Sequence, residues 1–155
     1  MEFKTQVRQL LDDGLAEHPS LFLIDFKVGL DGSIQVTLDG DDGVKLQDCM
    51  AISRHIEHQL DREEQDFSLE VASVGVDAPL QLPRQYVKNI GRQLEVENTD
   101  SQVFKGKLIQ ADEKGCTLQW KQREPKPIGK GKHTVEKTEQ FNYIQIKRAK
   151  VLVQF

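Results

Sequence analysis

Apolar residues fall into two rhythms along this chain, and each change of rhythm marks a new element. Phe3, Val7, Leu10, Leu11 and Leu15 recur every three or four positions, with Lys4, Arg8, Asp12 and Asp13 off the stripe. That period predicts an amphipathic helix over Phe3–Glu17, stopped by Pro19. Phe22, Ile24, Phe26 and Val28 then alternate with Leu23, Asp25 and Lys27, which predicts a strand with one face in a core. Asp31-Gly32 suits a two-residue turn, and Ile34, Val36 and Leu38 predict the returning strand of a hairpin. Helical spacing returns in Leu46, Cys49, Met50, Ser53, Ile56 and Leu60, with Arg54, His55, Glu57 and His58 on the other side. A strand over Phe67–Val74 follows. The order helix, strand, strand, helix, strand predicts a small α+β layer, two helices packed on one face of a short sheet.

The pattern breaks in "ASVGVDAPLQLP", where Gly75, Asp77, Pro79 and Pro83 come in quick succession. We read this as a junction between two domains, residues 1–82 and 83–155, built on Ser73, Gly75, Asp77 and Pro79. Gly75 lets the chain leave the strand, Asp77 can cap the turn, and the prolines keep the connector extended. Beyond it, Leu94 and Val96 alternate with Glu95 and Glu97. Val103–Gln110, Cys116–Lys121, Lys137–Asn142 and Lys150–Phe155 are further short predicted strands. Short strands with tight turns and no long helix predict a small closed or nearly closed β-barrel. The long connection Lys121–Lys137 holds two prolines, two glycines and six Lys and Arg against two Glu. It is expected to project as a mobile loop.

Composition supports two small cores over one large one, since only 37% of the 155 residues are apolar and 30% are charged. The net charge of −4 conceals a split. Residues 1–82 carry 6 Lys and Arg against 17 Asp and Glu, a balance of −11; residues 83–155 carry 15 against 8, a balance of +7. An acidic half suits a basic protein, and a basic half suits a nucleic-acid backbone. No apolar run reaches membrane-spanning length, and the start lacks a signal-peptide pattern, so a cytoplasmic protein is expected. Cys49 and Cys116 each sit within an apolar pattern, as reduced buried thiols would. No large apolar stripe is left over, so a monomer is expected.

Candidate chemistry is thin. Gly40 to Gly43, "GDDG", has the outline of a phosphate-clamping glycine loop, but Asp41 and Asp42 would repel phosphate, so an acidic turn is expected there. His55 and His58 with Asp61 begin a metal-like spacing that nothing completes. "GKGK", Gly129 to Lys132, lacks the spacing and the Ser or Thr of a P-loop. Ser53 has no nucleophile-elbow frame. No catalytic, metal or cofactor-binding residues are therefore assigned. The strongest site is the basic connection: Lys121, Arg123, Lys126, Lys130 and Lys132 are candidate contacts to RNA phosphates. Exposed aromatics beside it would mark a single-strand binder, whereas Trp120, Phe141 and Tyr143 all fit a core reading.

One long stretch carries a resemblance. "VKLQDCMAISRHIEHQLDREEQDFSLEVASVGVDAPL" resembles the bacterial ribosome maturation factor RimP family in Asp48-Cys49, Ser53-Arg54, Leu60-Asp61, Leu69-Glu70-Val71, and the tail Ser73, Gly75, Asp77, Pro79, Leu80. Gly91, Phe104-x-Gly106-x-Leu108 and the ending "YIQIKRAKVLVQF" are similar to that family's second domain. Val74 stands where the family usually has Pro, and Ala78 where it usually has Arg. The turn loses a fixed φ, and any role of that Arg in relatives does not carry over. The resemblance implies a KH-like layout in the first domain and an SH3-like or Sm-like barrel in the second. It implies a non-enzymatic factor that binds the free small ribosomal subunit precursor, meeting its rRNA and a basic decoding-region protein. Charge then suggests Asp41, Asp42 and Asp61 for the protein contact. Two other classes stay open: a general RNA-binding or RNA-chaperone module, and a hydrolase using the Asp-rich first domain with a divalent metal.

Overall fold

The structure is a computed structural model that describes residues 2–152. The chain divides into two compact units between Gly75 and Val76.

The first unit runs α1 (Phe3–Ala16), β1 (Leu21–Val28), β2 (Ser33–Gly40), α2 (Leu46–Glu57) and β3 (Ser68–Ser73). The strands lie in the order β1-β2-β3, with β1 antiparallel and β3 parallel to β2. A parallel neighbour needs a crossover, and α2 supplies it. Ile34, Val36 and Leu38 on β2 are buried against Val7 and Leu11 of α1 and Ile52 and Ile56 of α2. The expected α-β-β-α-β order is therefore present, with helices and sheet sharing one core.

Three local expectations need correction. The β1–β2 connection is not a two-residue turn: Gly29 N–H bonds to the Ser33 carbonyl at 2.7 Å and closes a loop through Leu30, Asp31 and Gly32. Gly32 takes φ 84°, and the Asp31 carboxylate accepts from the Ser33 N–H and hydroxyl at 3.1 and 2.7 Å. Along β1 the inward set is Leu21, Leu23, Phe26 and Val28, because a bulge between Leu23 and Asp25 inserts Ile24 and switches parity. On α2 the buried stripe centres on Ile52 and Ile56, while Leu46 and Met50 are 74% and 40% exposed. Position 52 lay off the predicted stripe, and Leu46 in the first turn of α2 points to solvent.

The second unit contains α3 (Pro83–Lys88), β4 (Gln93–Asn98), β5 (Val103–Ala111), β6 (Gly115–Pro125), β7 (Lys132–Asn142), a 3-10 turn (Tyr143–Gln145) and β8 (Ile146–Val151). Its sheet has the order β7-β6-β5-β4-β8, with every neighbouring pair antiparallel. Leu94, Val96, Leu108, Cys116, Leu118, Phe141 and Ala149 form the core with Tyr86 of α3, and Leu80 packs against it. Gly106 faces inward where a Cβ would come within 2.8 Å of the Gln119 carbonyl. Sequence periodicity does not predict α3: six residues are under two turns, too few to show a repeat. Pro83 opens it, and the buried Gln85 side chain accepts the Gln81 and Leu82 N–H groups at 2.7 and 3.0 Å.

The largest correction concerns Lys121–Lys137. Most of it is strand, not mobile loop: β6 and β7 stay paired from Gly115↔Asn142 to Pro125↔Lys132. Only residues 126–131 lie outside the strands. Both faces of this pair meet water, so it carries none of the apolar alternation by which strands are recognised. The last predicted strand, Lys150–Phe155, is found instead at Ile146–Val151, and Val153–Phe155 lie outside the described residues.

Candidate nucleic-acid interface

β5 pairs with β6 only between Cys116 and Gln119. Past Gln119 the ladder on β6 continues through β7 alone, from Trp120↔Lys137 to Pro125↔Lys132. At strand rise this is a two-stranded ribbon about 20 Å long. Its tip carries Gly129 and Gly131 at φ 89° and 94°, and the Lys126 N–H bonds to the Gly131 carbonyl at 3.1 Å.

Strand alternation sorts the ribbon's side chains onto two faces. One face continues the core: Cys116, Leu118, Trp120, Gln122 and Glu124, opposite Phe141, Glu139, Lys137, Val135 and His133. Phe104 lies 5.9 Å from Trp120 and 5.2 Å from Phe141 between ring centroids. The Trp120 indole N–H donates to Gln122 Oε1 at 3.0 Å, and Gln122 Nε2 donates to Glu124 Oε1 at 2.8 Å. Lys137 Nζ reaches the same Glu124 oxygen at 2.9 Å. Hydrogen bonding by Lys137 is the main cause that holds Glu124 below its ordinary value.

The opposite face carries Thr117, Gln119, Lys121, Arg123 and Pro125, with Gln140, Thr138, Glu136, Thr134 and Lys132 across from them. Of the five basic candidates, Lys121, Arg123 and Lys132 share this outer face, while Lys126 and Lys130 sit on the exposed tip. Arg123 is braced across the ribbon, donating to Thr134 Oγ1 and to the Lys132 carbonyl at 3.1 Å each. Sequence reasoning did not single out Lys105 and Lys107, which are exposed on β5. Their signal was present: both alternate with Phe104, Gly106 and Leu108, which face inward. Lys107 stands directly opposite Gln119, so β5 extends the same outer face.

The other candidates lie apart from this face in the chain. Asp41 and Asp42 are exposed in the turn after β2, in the acidic turn expected of "GDDG". Asp61 is exposed after α2, where its carboxylate accepts the Glu63 N–H at 2.9 Å. Ser73 ends β3, and Gly75, Asp77 and Pro79 are exposed in the segment that follows. Among the described residues no group of three His, Cys, Asp or Glu could hold a metal. Burial pushes the Cys116 thiol up to about 11 and also raises Cys49, so neither thiol is poised as a nucleophile. Among the described residues no helix is long and apolar enough to cross a membrane.

The model of the RimP N-terminal domain matches residues 18–77, from just after α1 to just past β3. Ribosome maturation factor RimP of Flavobacterium psychrophilum is 52% identical over 155 residues, the whole of both chains. The RimP of Christiangramia forsetii is 50% identical over 152 residues, 98% of this chain and 99% of its own length. That of Porphyromonas gingivalis is 36% identical over 106 residues, 68% of this chain and 69% of its own. The first two of these matches span both units, and the chain belongs to the ribosome maturation factor RimP family.

Proposed function

We propose that this chain is a non-enzymatic maturation factor that binds the free small (30S) ribosomal subunit precursor and assists its assembly. The observation that carries this reading is the 52% identity, over both full lengths, to a ribosome maturation factor. The division of charge supports a division of labour. The acidic first unit meets a basic decoding-region ribosomal protein through Asp41, Asp42 and Asp61. The ribbon of the second unit rests on small-subunit rRNA through Lys121, Arg123, Lys126, Lys130 and Lys132. Ser73, Gly75, Asp77 and Pro79 form a short junction that restricts the orientation of the two units, so that both can engage one particle. The first unit is KH-like in layout, in keeping with its α-β-β-α-β order around a parallel β2–β3 pair. The second is an SH3-like or Sm-like small barrel, in keeping with five antiparallel strands and a 3-10 turn before the last. The protein acts as a monomer in the cytoplasm.

Competition binding tests the reading. Labelled precursor subunits are challenged with random RNA at one fixed salt concentration. A maturation factor keeps its precursor against a large excess of random RNA, whereas a general RNA chaperone is displaced in proportion to RNA mass.

A further inference from the structure

The basic outer face of the second unit extends from the ribbon back onto β5, and its composition indicates which form of RNA it takes. Lys107 on β5, then Lys121 and Arg123 on β6 and Lys132 on β7, project from one side of the sheet. Residues two apart on a strand are about 7 Å apart, so Lys121 and Arg123 present charges at a regular interval along β6. Gln119, Thr117, Thr138 and Thr134 share this face with the cations, and such side chains donate to phosphate oxygens. Neither Lys107 nor Lys121 is in an ion pair among the described residues; Lys105, by contrast, lies 4.0 Å from Glu95. The one carboxylate on the ribbon's outer face is Glu136, across from Lys121.

Among the described residues, no aromatic side chain stands on this face. Trp120, Phe104 and Phe141 pack together on the core side, and Tyr86 packs against Tyr143 at 4.7 Å. Binding of single-stranded RNA relies on aromatic platforms for stacked bases. A cationic, hydroxyl-bearing and aromatic-free surface instead matches backbone and 2′-hydroxyl contacts on an A-form duplex, whose shallow minor groove is read by shape. We infer that the outer face of β5, β6 and β7, centred on Lys107, Lys121, Arg123 and Lys132, is a docking surface for the sugar-phosphate backbone of double-helical RNA. This deepens the maturation reading, on which it rests, by naming the form of RNA contacted and by adding Lys107.

The test uses the full chain with a short RNA duplex and a single-stranded RNA of the same length, titrated over a series of salt concentrations. Sedimentation with free small subunits is run in parallel. The expected result is tighter binding of the duplex, with a tenfold or greater loss in Lys107→Glu with Lys121→Glu. The milder Lys107→Gln with Lys121→Gln is expected to lower the salt slope by about 1.5–2. Unchanged melting temperatures establish that the variants fold. Lys4→Glu with Lys27→Glu, the same charge change in the first unit, is expected to leave duplex binding intact. Preference for the single strand, or equal losses in both double reversals, would overturn the inference; wild-type sedimentation with small subunits would then still stand for the maturation reading. Duplex binding lost only in the outer-face variant, with no wild-type sedimentation on subunits, would support the face and overturn the maturation reading.

Discussion

Trp120 and Lys121 are consecutive in the chain and stand on opposite faces of β6, Trp120 across from Lys137 and Lys121 across from Glu136. The indole belongs to the core side and the ammonium to the outer side. RNA held on the outer face is therefore expected to leave the emission of Trp120 nearly unchanged, and Trp120→Phe to leave RNA affinity unchanged. Trp120 emission during RNA titration measures the first, and anisotropy of labelled RNA measures the second. Strong quenching of Trp120 by RNA would place the contact on the other face of the ribbon.

The Glu124–Lys137 pair gives the ribbon a pH dependence. Glu124 titrates below its ordinary value when folded. A carboxylate with a lowered folded pKa contributes stability above its unfolded pKa and loses it as pH falls through the lower, folded one. Protection of the ribbon amides is expected to persist through mildly acidic solution and to drop below the ordinary carboxylate range. Hydrogen exchange over residues 120–125 and 132–137, corrected for intrinsic rates, follows this directly. Glu124→Gln is expected to speed exchange at pH 7 and flatten the acid transition; a variant with the wild-type profile would mean that the pair contributes nothing.

Leu118 is fully buried at the centre of the second core. Truncation there removes apolar contact and leaves a cavity, so Leu118→Ala is expected to cost about 2–5 kcal/mol. Trp120 is the one tryptophan in the chain and packs against that core, so its fluorescence reports the denaturant midpoint. A midpoint within error of wild type would contradict the packing described.

Arg62 closes the turn between α2 and β3. Its guanidinium carbon lies 4.0 Å from the Phe67 ring centroid, and it bonds the Phe67 carbonyl and the Glu57 carboxylate, the latter at 3.1 Å. Lysine keeps the charge but lacks the planar fork that makes these contacts together. Arg62→Lys is expected to lower stability by about 1 kcal/mol, read from the denaturant midpoint. Equal stability in the lysine variant would reduce the interaction to charge alone.

The junction yields a prediction of a different kind. Gly75→Val is expected to weaken small-subunit binding by disturbing how the connector leaves β3. The check is sedimentation of the variant alongside its melting curve. Wild-type behaviour in both would remove Gly75 from the account.

Physical causes separate what was legible in the chain from what was not. The first unit could be read because β2 has one wet and one dry face: Ile34, Val36 and Leu38 alternate with Gln35 and Thr37, and the register follows. The β1 bulge at Ile24 could not, since an apolar residue occupies the inserted position and the alternation survives on paper in the wrong parity. Lys121–Lys137 was legible as basic and not as strand. Its pairing is fixed by cross-strand partners such as Arg123 with Thr134, which sequence spacing does not reveal. The sequence placed the cationic candidates on one connection, while the sharing of one face by Lys121, Arg123 and Lys132 needed the register. Lys107 was hidden for a simpler reason: its strand looks like ordinary alternation, and only the pairing with Gln119 places it beside the ribbon.

The central claim, a factor for the free small subunit, is tested most directly by co-sedimentation. The purified full chain is centrifuged with free small subunits, joined ribosomes and large subunits at physiological salt. The account predicts that the protein travels with free small subunits and stays behind with the other two. Equal recovery with all three particles, or recovery with none, would contradict it.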